Sequence, residues 1–359
     1  MYTEEHLEKI KEEFRAFWAM ENEKPLVRIT GAADGYVPRA VKAPEKIDDR
    51  WLDGEYVLQS NLEKIRGTYY AGAAFPQIFP NFGPDILPAM LGCGLIFGED
   101  TSWAVHVMKE DEWPSRCFTF DENNIWWKRL SAMTEYLARE SRGRYFVGLS
   151  DLHPGCDALV SLRSPENLCY DVFGHGEHIR RANLEIFEVF RQIIDRSLAI
   201  LSPYQEGSST WMPIWHPGKW YVTSCDFICM ISPEMFDKFI TEELDRELEY
   251  LDASIFHLDG PIAFNNHLDK LLSFRKLKGV QLQYGAGATT ARDWLKAAKK
   301  VQAAGKILNI PTGPEDLETL LSELKPQGLY LDLHKELFNK NGSQFSQSEV
   351  DAIMKRYFT

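Results

Sequence analysis

The stretch Ala253–Gly285, ASIFHLDGPIAFNNHLDKLLSFRKLKGVQLQYG, decides the fold. It opens with a short apolar run, ASIFHLD, that ends in His257-Leu258-Asp259. FNNHLDKLLSF then repeats its apolar residues at helical spacing, and GVQLQYG is a second short apolar run. Strand, helix, strand in so short a span predicts a βα unit whose two strands are parallel, because the intervening helix carries the chain back across the sheet. Both strands are apolar nearly throughout, as strands covered on both faces must be.

The same rhythm extends in both directions. Upstream, YFVGLSDL (145–152) and WYVTSCDF (220–227) read as buried strands, with a helix over about 177–201 between them. SPEMFDKFITEELDRELEYLD (232–252) reads as a helix with Ser232 as N-cap and Pro233 at the first turn, where its missing N–H costs nothing. Downstream come TARDWLKAAKKVQAAG (helix), KILNIP (strand), PEDLETLLSEL (helix) and GLYLDLH (strand). Alternating strands and helices predict an α/β fold, and we expect a single (β/α)8 TIM barrel over 1–359. A doubly wound open sheet is the alternative, but no glycine-rich phosphate loop opens any of the helices. Residues 136–359 carry the repeats. Residues 1–135, rich in motifs such as GAAFPQIFPNFGPDILPAMLG (72–92), read as a helical and irregular N-terminal elaboration.

Composition bounds the function. A chain of 359 residues with 44% hydrophobic content builds a core without disulfide or metal staples. The net charge of −13, with no Lys/Arg run longer than three, speaks against nucleic acid as a partner. Six scattered cysteines without a CxxC pair fit free thiols in a reducing cytosol. MYTEEHLEKIKEEFRAFWAME reads as an amphipathic helix rather than a signal peptide, and no apolar run approaches the roughly 18 residues of a membrane span. A cytoplasmic protein with no membrane partner is expected.

Three segments carry a family resemblance. DLHPGCDALVSLRSPENLCYDVF (151–173), CDFICMISPEMFDKFI (225–240) and HLDGPIAFNNHLDKLLSFRKLKGVQLQYGAG (257–287) resemble the uroporphyrinogen-decarboxylase superfamily. The likeness is to its corrinoid-linked branch, with trimethylamine–corrinoid and O-demethylase methyltransferase components. It implies a barrel that transfers a methyl group between a small substrate and cobalamin carried by a partner protein. The arginine-rich segment by which true decarboxylases of the family grip propionates is missing here. Members that methylate thiols hold zinc on a His-x-Cys and a later cysteine. The resemblance sets His257-Leu258-Asp259 at the first position and His334 at the end of the last strand, so a zinc centre on His257, Asp259 and His334 is implied.

Read from the residues alone, His257 and Asp259 are two apart on a strand and point to one face. They suit a metal centre, an acid/base pair in which the carboxylate fixes the imidazole tautomer, or a structural hydrogen bond beneath the Gly260-Pro261 turn. Asp226 and Tyr284, also at strand ends, are expected to orient a substrate. Asp151-Leu-His153-Pro-Gly155 comes close to the DxHxxG motif by which corrinoid proteins supply an axial histidine, but with the glycine one position early. Asp151 and His153 are therefore expected to line the mouth and bind substrate. TWMPIWHPGKWY (210–221) is aromatic enough to hold a ring or a methylammonium group, with Trp215 or His216 facing the cavity and both expected to bind substrate. Methyl transfer is the leading reading. A lyase or decarboxylase acting on a small carboxylic acid through His257–Asp259 is the alternative, and a non-catalytic corrinoid-protein partner the third.

Overall fold

The computed structural model describes residues 4–285, 290–335 and 344–358. Ala286 and Gly287, at the end of the last quoted segment, lie outside them. Its strands are β1 (Leu26–Ala32), β2 (Thr68–Gly72), β3 (Gln77–Ile78), β4 (Gly94–Phe97), β5 (Ser102–Val105) and β6 (Phe146–Val147). Then follow β7 (Trp220–Ser224), β8 (Ala253–Asp259), β9 (Gly279–Gln283), β10 (Ile307–Thr312), β11 (Leu329–Leu333) and β12 (Phe345–Ser346).

The main sheet has the order β12-β1-β11-β10-β9-β8-β7, and β7 to β11 run parallel in sequence order. β2 pairs antiparallel with β1. Helices Thr241–Tyr250, Gly260–Ser273, Leu295–Ala303 and Leu317–Glu323 alternate with these strands, as the apolar stripes predict. Ser232 caps its helix, Oγ accepting from Met235 N at 3.3 Å, with Pro233 beside it. The fold is thus α/β around a parallel sheet.

β3 and β6 form a short parallel pair of their own. Phe146 N to Pro76 O (3.0 Å) and Gly148 N to Ile78 O (2.9 Å) hold the pair together, Leu149 N just past β6 donates to Ser209 O (2.8 Å), and Ala73 N just past β2 donates to Val27 O of β1 (2.7 Å).

The N-terminal third is more regular than its sequence suggests. Leu26–Ala32 lies between β11 and β12 inside the main sheet. Its apolar pattern is broken by Arg28, which pairs with Asp332 of β11 at 2.6 Å rather than facing solvent. Gly94–Phe97 and Ser102–Val105 make a separate hairpin.

Helix Glu4–Trp18 closes the end of the sheet where the strands begin. Phe14 and Phe17 pack on Tyr330, and Phe14 also packs on Phe75. No helix among the described residues is long and apolar enough to cross a membrane.

Candidate active site at the carboxyl ends of the strands

One row of residues runs across four adjacent strands. Ser224 of β7 pairs with His257 of β8, His257 with Gln281 of β9, and Gln281 with Asn309 of β10. Lateral partners in a sheet point to the same face, so four polar side chains enter one interior from otherwise apolar strands. His257 Nδ1 donates to Gln281 Oε1, Gln281 Nε2 donates to Asn309 Oδ1 at 3.5 Å, and Asn309 Nδ2 reaches the Met212 sulfur at 3.4 Å. The chain of donors fixes the His257 tautomer and leaves Nε2 as its free lone pair.

Asp259 is the last residue of β8 and stands at the N-cap of helix Gly260–Ser273, which Gly260 (φ 79°) and Pro261 begin. An aspartate there ordinarily accepts from the first helical N–H groups. Asp259 does not, and its Oδ1 is buried without a partner among the described residues. A buried carboxylate oxygen left unpaired is costly, so this one is aimed at something other than its own helix.

Asp226 opens the short 3₁₀ turn Asp226–Met230 just past β7. Asp157 sets its position from below: Oδ2 accepts from Asp226 N (2.9 Å) and Oδ1 from Phe227 N (3.1 Å). Asp226 is accessible to solvent by surface area yet ringed by protein. Its carboxyl is pushed up, by desolvation first and by the Asp157 charge second, against the pull of His153 and His257.

Asp157 lies one turn after His153 at the start of helix Gly155–Arg163. His153 Nε2 is 3.1 Å from Asp151 Oδ1, as an ion pair without in-line hydrogen-bond geometry. Its Nδ1 is 3.5 Å from Asp157 Oδ2 and 3.4 Å from Ser224 Oγ. Burial acts to lower the His153 pKa, but Asp151 and then Asp157 outweigh it and hold the imidazole well above its usual range.

Two groups of ligating side chains result, His153–Asp157–Asp226 and Asp226–His257–Asp259, each with its ligand atoms within 4.8 Å of one another. Behind them Glu243 and Glu247 are buried on helix Thr241–Tyr250. Burial and then Asp157 push Glu243 up to about 8, and burial and then Glu243 hold Glu247 well above the usual carboxylate range.

Of the residues singled out by sequence, Asp226, His257, Asp259, Asp151 and His153 come together. The others do not. His334 is half-exposed and stands 3.4 Å from Asp332, the partner of Arg28, so Asp226 takes the place expected for it beside His257 and Asp259. The Tyr284 hydroxyl donates to Pro311 O at 2.8 Å, and its ring stacks on Trp294 in the core. Trp215 and His216 pack at the opposite end of the strands. Trp215 is fully buried under Lys11 and Arg15, and His216 meets Trp18 edge-on. Trp211, from the same loop, is the one that reaches the site, edge-on to His257 with ring centroids 5.5 Å apart.

Sequence reading also passed over Asp157, Gln281 and Asn309. Each left a signal: Asp157 follows His153 by four residues at the start of a helix, and the two amides interrupt apolar strands.

Two cavities open here. One of about 670 Å³ is lined by Arg28, Arg50, Lys64, Tyr70, Gln77 and Trp211. The other, about 320 Å³, is lined by His153, Asp157, Val160, Asp226, Phe227 and Met230.

No protein-family model matches the chain, and no curated protein matches it by sequence. Among solved structures it is similar to a methyltransferase from Methanosarcina mazei, at 12% sequence identity and a TM-score of 0.64. The match covers 98% of this chain and 99% of that one, so the two share a fold along their whole length.

Proposed function

We propose that this chain is an enzyme, the methyltransferase component of a corrinoid-dependent one-carbon system, built as a single (β/α)8 barrel of the uroporphyrinogen-decarboxylase type. The barrel reading takes β1, β3 and β6 to β11 as its strands. It is supported by the Gly148–Ile78 and Leu149–Ser209 backbone bonds, which run from the β3–β6 pair to the 208–210 segment, and by the Ala73–Val27 bond, which holds the chain leading into β3 against β1. The shared fold with a methyltransferase supports the reaction class. On this reading the protein works in the cytoplasm, and cobalamin arrives on a separate partner.

The observation that carries the proposal is the convergence of Asp226, His257 and Asp259 at the carboxyl ends of the strands, where barrel enzymes place their sites. The donor set fits a divalent metal such as zinc: a tautomer-fixed imidazole nitrogen, the unpartnered Asp259 Oδ1 and the Asp226 carboxylate, with room for a substrate atom. Such an ion acts as a Lewis acid on the heteroatom that bears the methyl group, easing its departure. Gln281 holds the His257 ring in register, Asp157 holds Asp226, and Trp211 forms an apolar wall against the substrate. The test is methyl transfer to free cob(I)alamin, with metal content measured on the same samples. His257→Ala should lose turnover and the metal equivalent that His257 holds; a His257→Ala protein that keeps turnover and the full wild-type metal content sinks the proposal.

A second reading has its own observation. Lys64 lines the larger cavity beside Arg28 and Arg50, which are paired with Asp332 and Glu99, and an ammonium there suits one carboxylate of a substrate. A lyase or decarboxylase using His257 and Asp259 as acid and base would release product from a small carboxylic acid with all metal removed by chelation, whereas the methyltransferase would not turn over.

A further inference from the structure

We propose that this site is built for two divalent cations that share Asp226, one on His257 and Asp259 and the second on His153 and Asp157. The inference rests on the metal reading above for the first position and adds the second. Asp226 belongs to both groups of converging ligand atoms, and a carboxylate has an oxygen for each side.

Each group has an imidazole with an oxygen acceptor near its outer ring nitrogen. A metal-binding histidine characteristically gives its other ring nitrogen to an outer acceptor, which sets the tautomer and aims the ligating nitrogen. Gln281 does this for His257. Asp151 stands at the same outer position for His153, 3.1 Å from Nε2, as a charge contact rather than an in-line hydrogen bond. His153 Nδ1 then faces Asp157 and Ser224 at 3.5 and 3.4 Å, near the outer limit of hydrogen bonding. Those loose contacts leave Nδ1 directed at the carboxylates without a tight partner.

Charge points the same way. Asp151, Asp157, Asp226 and Asp259 crowd one end of the sheet, and no Lys or Arg among the described residues forms an ion pair with any of them. Glu243 and Glu247 stand behind, 6% and 1% exposed, with Oε1 of each unpartnered. One dication at His257 leaves Asp151 and Asp157 with only the His153 imidazole between them, whereas a second places a dication on that side. The smaller cavity, lined by His153, Asp157 and Asp226, gives that position its own access. Nitrogen and carboxylate donors without thiolate select a first-row dication such as Zn²⁺ or Mn²⁺. Paired ions of this kind clamp one oxygen-bearing group between them.

The test uses the full-length protein, stripped by chelator and titrated with Zn²⁺ or with Mn²⁺. Metal bound per chain is read by elemental analysis and, for Mn²⁺, spin coupling by electron paramagnetic resonance. Two equivalents and a coupled Mn²⁺ pair are expected. His153→Ala and His257→Ala should each bind one uncoupled equivalent, and His153→Gln, a milder change checked for folding by circular dichroism, should behave as His153→Ala does. One equivalent in the wild type, lost in His257→Ala and unchanged in His153→Ala, overturns the second position and leaves the proposed function standing. One equivalent that survives His257→Ala overturns both, as does no binding at all.

Discussion

His257 and Gln281 face each other across adjacent strands, and the imidazole Nδ1–H donates to the amide oxygen of Gln281. The amide is held in turn by Asn309, so the orientation of the ring depends on two strands beyond its own.

Gln281→Leu removes the acceptor without enlarging the side chain, and frees the ring to turn. Loss of such an outer partner typically weakens metal binding by about 10–100-fold. The expected result is a drop of that size in Zn²⁺ affinity by competition with a chromogenic chelator, with Gln281→Glu restoring most of it. An unchanged affinity in Gln281→Leu would show that the ring is oriented by something else.

Trp211 and Trp215 sit four residues apart and separate cleanly by role. Trp215 is fully buried against the N-terminal helix, so Trp215→Ala should cost about 3–5 kcal/mol of stability, seen as a lower midpoint in denaturant. Trp211 lines the larger cavity against His257, so Trp211→Ala should leave that midpoint within about 1 kcal/mol and raise KM. The reverse pattern would return the Trp215 side of the loop to the site.

Gly155 has φ 62°, and an added Cβ would lie 3.0 Å from Glu243 Oε2. Gly155→Ala therefore meets backbone strain and a buried carboxyl together, and should cost about 1–2 kcal/mol. Because Gly155 lies between His153 and Asp157, the variant should also weaken metal binding. Wild-type melting and wild-type metal affinity in Gly155→Ala would contradict this packing.

Glu243 has a pKa pushed up to about 8 by burial and the nearby Asp157. Its folded pKa lies above its unfolded value of about 4.3, so its contribution is fully present below pH 4.3 and is lost as pH rises through about 8. In metal-free protein, Glu243→Gln should remove that loss. The variant should match the wild type near pH 4 and exceed it by up to about 5 kcal/mol at pH 8.5, read by chemical denaturation. Parallel stability–pH curves for the two proteins would refute the assignment.

Local pattern set much of this molecule. Apolar runs and amphipathic stripes placed β6 to β11 and most helices between them, the Ser232-Pro233 helix start, and His257 and Asp259 on one face of β8, because periodicity and capping act within a few residues; they passed over helices Gly155–Arg163 and Pro165–Gly174 and joined Pro233–Phe239 to Thr241–Tyr250. What stands next to what did not follow from them. β1 was hidden because its inward Arg28 breaks the apolar run, and only Asp332 on a strand some three hundred residues later makes that position sensible. Trp215, His216 and Tyr284 have the composition of site residues but the surroundings of core residues. The meeting of Asp157, Asp226 and His257 comes from three separate βα units brought side by side. A residue's face is fixed by its own strand or helix, whereas its neighbours are fixed by lateral register between strands, and that is settled only when the whole sheet forms.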